Sequence, residues 1–326
     1  MNLLLCLRRS DMCCLFGLLD YGHSLTAAQK NHILAVLSTV CEARGTDATG
    51  IAYNTDNGLQ IYKRPLPAHH LRLRIPKDTN YVMGHTRMTT QGCEKHNHNN
   101  HPFSGRAGRV PFALAHNGIL HNDHELRRQR KLPSTKIETD SYVAVQLIER
   151  SGELSFASLK QMAEAVEGTF TFTVTDNTDN LYIVKGNNPL CLYHWPKLGL
   201  YLYASTEDIL KRALQGIRLK LGKPQEVNID SGEIVRIDRF GRITRSIFDT
   251  SHLFRSRSYF GWPYRFSLWD NDTAYDSYVS ELKSVARAFG YAPDDIDDLL
   301  NDGFTPEEIE ECFYMFNFIL NVFSFI

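Results

Sequence analysis

The chain has 326 residues, of which 43% are hydrophobic and 22% charged, with a formal net charge of −1. At ~150 residues per domain this is roughly two domains, with enough chain to bury a sizeable core. The charge balance excludes a generally basic nucleic-acid binder, and the composition excludes a fibrous or largely disordered chain.

Seven cysteines with no C-x-x-C pair argue against a disulfide framework or zinc ribbon and for a reducing cytoplasm. The opening MNLLLCLRRSDM carries its charges after its short apolar run, the reverse of a secretory signal. No stretch reaches the ~20 apolar residues of a spanning helix. The apolar tail Phe313–Ile326, 14 residues long, reads as a core or interface helix, so no membrane is expected.

In chain order, Leu15–Tyr21 reads as a buried strand. Thr26–Arg44 has helical periodicity (Ile33, Val36, Leu37, Val40), with Gly45 expected as its C-terminal stop. Short strands are expected at Gly50–Tyr53, Leu59–Lys63 and Tyr81–Thr86, followed by a long polar loop from Thr89 to Arg109. A strand at Pro111–Ala115 runs into His116-Asn117-Gly118, and helices follow at Thr139–Arg150 and Ser155–Val166. Further strands are expected at Thr169–Thr175, Leu181–Val184, Leu190–Tyr193 and Leu200–Tyr203, then a helix at Thr206–Leu214 and a hairpin across Gly232–Ile243. Strand groups with helices gathered between them imply an α+β sandwich and not a regular βαβ alternation.

Past residue 250 the composition changes. Residues 251–270 interleave aromatics with Arg255, Arg257 and Arg265. Helical patterns follow at Thr273–Phe289, Asp294–Asn301 and from Pro306 onward, and residues 292–312 carry nine acidic groups and no basic one. The organisation read from this is a leader at 1–12, a main domain at 13–250, an aromatic and basic linker at 251–270, and a helical module at 271–326. Arginines among aromatics suit single-stranded nucleic acid, but the acidic segment beside them favours docking onto protein, and no nucleic-acid partner is expected.

Met12-Cys13-Cys14 stands at the head of the first strand. A cysteine that becomes residue one holds a nucleophile and a base together, because its free α-amine, with a pKa of ~7.7–8.0, can accept the thiol proton. Alone, the pair reads as buried core cysteines. Cys93, His96, His98 and His101 have no standard zinc spacing, and no metal is expected there.

Five further motifs accompany Cys13. They are Arg44-Gly45-Thr46-Asp47-Ala48-Thr49-Gly50, Gly84-His85-Thr86-Arg87-Met88-Thr89-Thr90-Gln91-Gly92, Asn99-Asn100-His101-Pro102-Phe103, His116-Asn117-Gly118-Ile119-Leu120-His121-Asn122 and Glu138-Thr139-Asp140-Ser141. Together, from Cys13 to about residue 240, they resemble the class II glutamine amidotransferases, the N-terminal-nucleophile glutaminases, and most of all the glutaminase domain of glucosamine-6-phosphate synthases.

The resemblance implies a four-layer αββα sandwich of the Ntn-hydrolase type, here with a small C-terminal helical extension. It implies Cys13 as the nucleophile attacking the side-chain amide of L-glutamine, and Asn117 and Gly118 as the oxyanion hole. It implies that Arg87 clamps the substrate α-carboxylate, a task suited to a two-pronged donor, and that Asp140 accepts the α-ammonium. Thr90 and His101 line the same pocket, and Asn122 supports it. The implied reaction releases ammonia through a γ-glutamyl thioester and needs no cofactor. It also requires a free amine on Cys13, so translation is expected to start at Met12 or residues 1–12 to be removed.

Three positions depart from the family. Cys14 stands where Gly is common, and there it is expected to crowd the pocket or form a reactive pair. Met88 stands where the sugar-phosphate synthases commonly have Trp, and Gln91 stands at a motif His. The synthases' sugar isomerase half has no counterpart in the ~75 residues after the glutaminase-like part. Three functions fit the sequence: a glutaminase passing ammonia to an acceptor subunit in trans, a self-sufficient γ-glutamyl amidohydrolase, and a non-catalytic glutamine-binding scaffold.

Overall fold

The computed structural model describes residues 13–251 and 253 and, further along, residues 279, 280, 282, 283, 286, 287, 292–301, 306 and 309; the two groups belong to separate compact units. The expected leader, the aromatic and basic stretch beyond Ser251 and Leu253, and most of the helix from Pro306 lie outside the described residues.

In the first unit the strands are β1 (Cys14–Asp20), β2 (Ala48–Thr55), β3 (Gly58–Arg64), β4 (Tyr81–Arg87), β5 (Phe103–Ala107), β6 (Val110–Leu120), β7 (Gly168–Asp176), β8 (Leu181–Lys185), β9 (Cys191–Trp195), β10 (Leu200–Ala204), β11 (Gln225–Glu226), β12 (Glu233–Ile237) and β13 (Ile243–Ile247). The helices are α1 (Ala27–Cys41), α2 (Asp123–Gln129), α3 (Tyr142–Ser151), α4 (Phe156–Ala165) and α5 (Glu207–Gly216). One sheet has the order β11-β9-β10-β1-β4-β2-β3 and the other β13-β12-β8-β7-β6-β5. Every pairing is antiparallel.

Alternation along the strands builds three apolar layers. In β1, Cys14, Phe16 and Leu18 face Ile33, Leu34 and Leu37 of α1, while Leu15 and Leu19 face the other sheet at Ala113, Ala115 and Ile183. In β7, Phe170, Phe172 and Val174 pack under α3 and α4, and the alternating Thr171, Thr173 and Thr175 are equally buried. Each fully buried large apolar side chain contributes about 1.5–3 kcal/mol. Helix layer, sheet, sheet and helix layer make the αββα sandwich that the resemblance implies.

Local chemistry sets the helix ends. Thr26 Oγ1 accepts the Gln29 N–H and Gln29 Oε1 accepts the Thr26 N–H, a capping box that starts α1. The expected stop at Gly45 is not what ends this helix. It ends at Cys41, and residues 42–45 continue as tight turns closed by i to i+3 bonds. Gly45 serves a different need: a Cβ there would lie 2.5 Å from the carbonyl carbon of Arg87.

Three other expectations change. The polar segment 89–109 is not loop throughout, because β5 pairs with β6 inside it. The helix expected from Thr139 begins at Tyr142, because Asp140 is held by the backbone of Leu120 and Thr139 O by Arg127. The strand at Pro111–Ala115 does not stop before His116-Asn117-Gly118 but carries the motif inside β6, paired to β7 as far as Leu120.

In the second unit α6 (Asp294–Asn301) is helical where expected, with Ile296 and Leu299 buried and Lys283 Nζ 2.6 Å from Asp297 Oδ1. No described helix is long and apolar enough to cross a membrane.

Candidate active site

Cys13, Arg87, Thr90, His101, Gly118 and Asp140, named from the sequence for one pocket, line one narrow crevice. They arrive from separate places: the start of β1, the end of β4, the segment before β5, the end of β6 and the approach to α3. Met88, Gln91 and His116 line it as well.

Cys13 precedes Cys14, whose register partner is Thr86 on β4, so the thiol lies beside the end of β4. Its Sγ is 3.5 Å from Met88 O, and Arg44 Nε donates to Cys13 O at 3.2 Å. Burial pushes the Cys13 thiol up to about 11; the positive charges of Arg87 and Arg44 work against this and Asp140 adds to it. Cys14 does not crowd the pocket. Strand alternation turns it into the layer under α1, fully buried in the cluster that holds Cys41, with its thiol directed at Leu15 O.

Arg87 is nearly fully buried. Its Nη1 donates to Asn100 Oδ1 at 2.6 Å, and its Nη2 to Gln91 O at 2.6 Å and Gly92 O at 3.3 Å. Burial lowers its pKa, and the charges of Cys13, Asp140, Asp47 and Glu94 raise it. Asp47 links two motifs, because its N–H donates to Arg87 O and its carboxylate accepts the Thr89 N–H at 2.8 Å.

Asp140 Oδ2 accepts the Leu120 N–H at 2.6 Å, and Oδ1 accepts the Ser141 hydroxyl at 3.2 Å. Ser141 Oγ is also 2.8 Å from His116 Nδ1. His116 Nε2 faces Thr169 O at 3.3 Å. A carbonyl only accepts, so Nε2 carries the proton, and the single Ser141 hydroxyl proton is shared between Asp140 Oδ1 and His116 Nδ1. The same logic has His85 Nε2 donating to His116 O at 3.0 Å. His101 lies between His85 and Phe103 with its ring tilted against both, and both its ring nitrogens are buried without a partner. Burial holds His85, His101 and His116 neutral, His85 down to about 3.

At the end of β6, Asn117 is fully buried and both of its amide atoms lack a partner. A buried amide in that state is expensive unless a ligand or water completes it. Gly118 has φ of +134°, and a Cβ on it would meet Thr169 O at 2.1 Å, so only glycine fits. Phe170, opposite Gly118, gives its N–H to Asn187 Oδ1 and accepts the Asn188 N–H. Asn188 Nδ2 donates to Asn117 O at 3.0 Å. Asn122 lies behind the crevice, tying Ala165 O and the Glu167 N–H to the start of α2.

Some supporting residues escaped the sequence reading. Asn188 carries no signal in the sequence, and Asn100 is only a motif letter. Glu138 accepts from Asn99 Nδ2 at 2.7 Å and from the Cys93 N–H at 3.3 Å, bracing the segment that carries His101. Lys63 Nζ donates to Asn100 O and Pro102 O, and burial brings its amine down to about 8. A lysine in an alternating strand gives no sequence sign of this task.

Residues 73–224 match the glutamine amidotransferase domain family. Among curated proteins, glutamine–fructose-6-phosphate aminotransferase (isomerizing) of Staphylococcus epidermidis is 30% identical over 188 residues, covering 55% of this chain and 30% of that protein. The corresponding Halalkalibacterium halodurans enzyme is 32% identical over 157 residues, covering 46% of this chain and 26% of its own. The chain thus spans less than a third of the length of these relatives. Among solved structures, glutamine phosphoribosylpyrophosphate amidotransferase from B. subtilis superposes with a TM-score of 0.57 at 20% identity, over 73% of this chain and 49% of that one, a likeness of fold. Over residues 73–224 the chain is thus similar to glutamine amidotransferase domains, and its fold and motifs resemble those of the class II, N-terminal-nucleophile kind.

Proposed function

We propose that the domain hydrolyses L-glutamine, with Cys13 as nucleophile. The Cys13 thiol attacks the side-chain amide carbon, and its proton passes to the Cys13 α-amine once residues 1–12 are absent. The carbonyl oxygen becomes an oxyanion, stabilised by Asn117 Nδ2 and the Gly118 N–H. The C–N bond then breaks, ammonia leaves with the proton, and a γ-glutamyl thioester remains. Water attacks the thioester, the C–S bond breaks, the thiol regains a proton, and glutamate departs. Arg87 binds the substrate α-carboxylate and Asp140 its α-ammonium, which selects a free amino acid over a glutamine side chain within a protein.

The observation that carries this reading is Asn117, a fully buried amide with neither polar atom partnered, next to a Gly118 that faces the thiol's crevice. Such a donor is worth about 2.7–4 kcal/mol to an acyl-transfer transition state. Glutamate release from glutamine, with Cys13→Ala as control, tests it; retained activity in the variant would reject the nucleophile.

We further propose that the ammonia passes to an acceptor site on another polypeptide, in a reducing cytoplasm, and that the helical module at 271–326 contributes to that contact. Stimulation of glutamine turnover by a co-purifying protein tests this, and the absence of any stimulation would favour plain hydrolysis.

A further inference from the structure

Arg87 is a buried cation whose hydrogen bonds run to neutral oxygens only: the Asn100 side-chain amide and the carbonyls of Gln91 and Gly92. The carboxylates that raise its pKa, Asp140, Asp47 and Glu94, act on it through space. Taking a guanidinium out of water is costly unless it is paired, and full neutralisation normally comes from an adjacent carboxylate. Here the position that a carboxylate would fill is taken by an amide of the same shape.

We infer that Asn100 is a positioning residue for Arg87: its Oδ1 fixes the guanidinium while leaving the positive charge unspent for the substrate's α-carboxylate. The inference rests on the glutamine-hydrolysing reading and deepens it. Asn100 suits the task because it is itself immobile. It is fully buried, and its Nδ2 donates to Glu94 O at 2.8 Å, which orients Oδ1 toward Arg87. Lys63 holds its main-chain carbonyl and that of Pro102 from the other side. The 2.6 Å contact is short, as expected when the donor is charged. A side chain serving only to fill the core at this position would need neither the amide nor this orientation.

The isosteric variant Asn100→Asp separates the two roles. It keeps the shape and supplies a carboxylate to a buried cation, so the fold is retained while the substrate carboxylate meets a competitor. Because the carboxylate gives up the bond from Nδ2 to Glu94 O, the expected result is a cooperative fold of equal or lower melting temperature, with KM for glutamine raised about tenfold or more and kcat changed far less. Asn100→Ala, which frees Nη1 without cancelling its charge, raises KM by a smaller factor. The same order of affinities is expected for L-glutamine binding to Cys13→Ala proteins by titration calorimetry, a readout independent of turnover. A wild type that turns over glutamine, with Asn100→Asp leaving both KM and affinity within twofold, overturns the role of Asn100 and leaves the function standing. A wild type that neither binds nor hydrolyses glutamine overturns the functional reading and this inference with it.

Discussion

The sharpest consequence of the site concerns what must happen at Cys13. Burial pushes its thiol up to about 11. At pH 7 that leaves about one molecule in ten thousand as thiolate, against about 3% for an unperturbed thiol of pKa ~8.5, a suppression of roughly 300-fold. If Cys13 keeps a peptide bond to Met12, that suppression stands. If Cys13 is residue one, its α-amine titrates near ~7.7–8.0 and takes the proton as the thiol attacks. The perturbation is therefore a comparison of two proteins, one beginning at Cys13 and one retaining residues 1–12, each verified by intact mass. Glutamate release is followed from pH 6 to 10 by a coupled dehydrogenase assay. The shorter protein should gain activity through about pH 8 and then level. The longer one should be at least about 100-fold slower at pH 7 and gain about tenfold per pH unit, as expected for attack by a thiolate alone. Equal rates at pH 7, with residues 1–12 still attached, would refute the α-amine mechanism.

Asn117→Ala should lower kcat by about 10²–10³ while leaving the melting temperature unchanged or higher, because it removes a buried amide that has no partner in the free protein. A large loss of stability by thermal unfolding would show instead that Asn117 is structural. Gly45→Ala places a methyl group 2.5 Å from the backbone of Arg87, so it should cost about 1–3 kcal/mol by overpacking and weaken glutamine binding by displacing the end of β4; unfolding curves and KM measure the two effects. Acid should destabilise the fold through its neutral histidines. The folded pKa of His85 lies at about 3, below the ~6.5 of the unfolded chain, so unfolding takes up a proton between those values. Its contribution is present above about pH 6.5 and is lost progressively as pH falls, roughly 5 kcal/mol by pH 3, with His101 and His116 acting in the same direction. In denaturant titrations at pH 7 and 5, His85→Asn should show a smaller difference between the two than wild type.

The strands and helices that the sequence revealed most clearly are those whose periodicity is governed by one apolar layer. Helix α1, with Ile33, Leu34 and Leu37 on one side, is an example. Expectations failed where the site overrides local preference. Thr139-Asp140-Ser141 has helix-starting character, yet Asp140 is drawn to the Leu120 N–H and the helix begins only at Tyr142. Gly45 resembles a helix stop, but its reason is the carbonyl carbon of Arg87, 42 positions away in the chain. Cys14 reads as a neighbour of the nucleophile, and the twofold alternation of a strand sends it to the opposite face. That Cys13, Arg87, Thr90, His101, Gly118 and Asp140 gather in one crevice was legible because their motifs keep a fixed order. Their supports, Asn100, Glu138, Asn188 and Lys63, were not, because each acts on a partner that only the folded chain brings near: the Arg87 guanidinium, the Cys93 N–H, Asn117 O and Asn100 O respectively.

The two charges proposed to recognise the substrate also bear on where the proposed reaction finds its base. Arg87 lowers the Cys13 pKa and Asp140 raises it. In the proposed reaction glutamine enters as a zwitterion, its carboxylate facing Arg87 and its ammonium facing Asp140. The first contact removes a charge that favours the thiolate, and the second removes a charge that opposes it. The two changes work in opposite directions, so occupancy of the pocket does not of itself ionise the nucleophile, and further burial by the bound substrate raises its pKa. The nearby imidazoles do not supply the missing base. His85 points its proton at His116 O, His116 is engaged with Ser141 and Thr169, and burial holds the pKa of His101 well below the usual range. Lys63, whose amine burial brings to about 8, is committed to Asn100 O and Pro102 O; the α-amine of Cys13 is the base of the proposed reaction, available once residues 1–12 are absent.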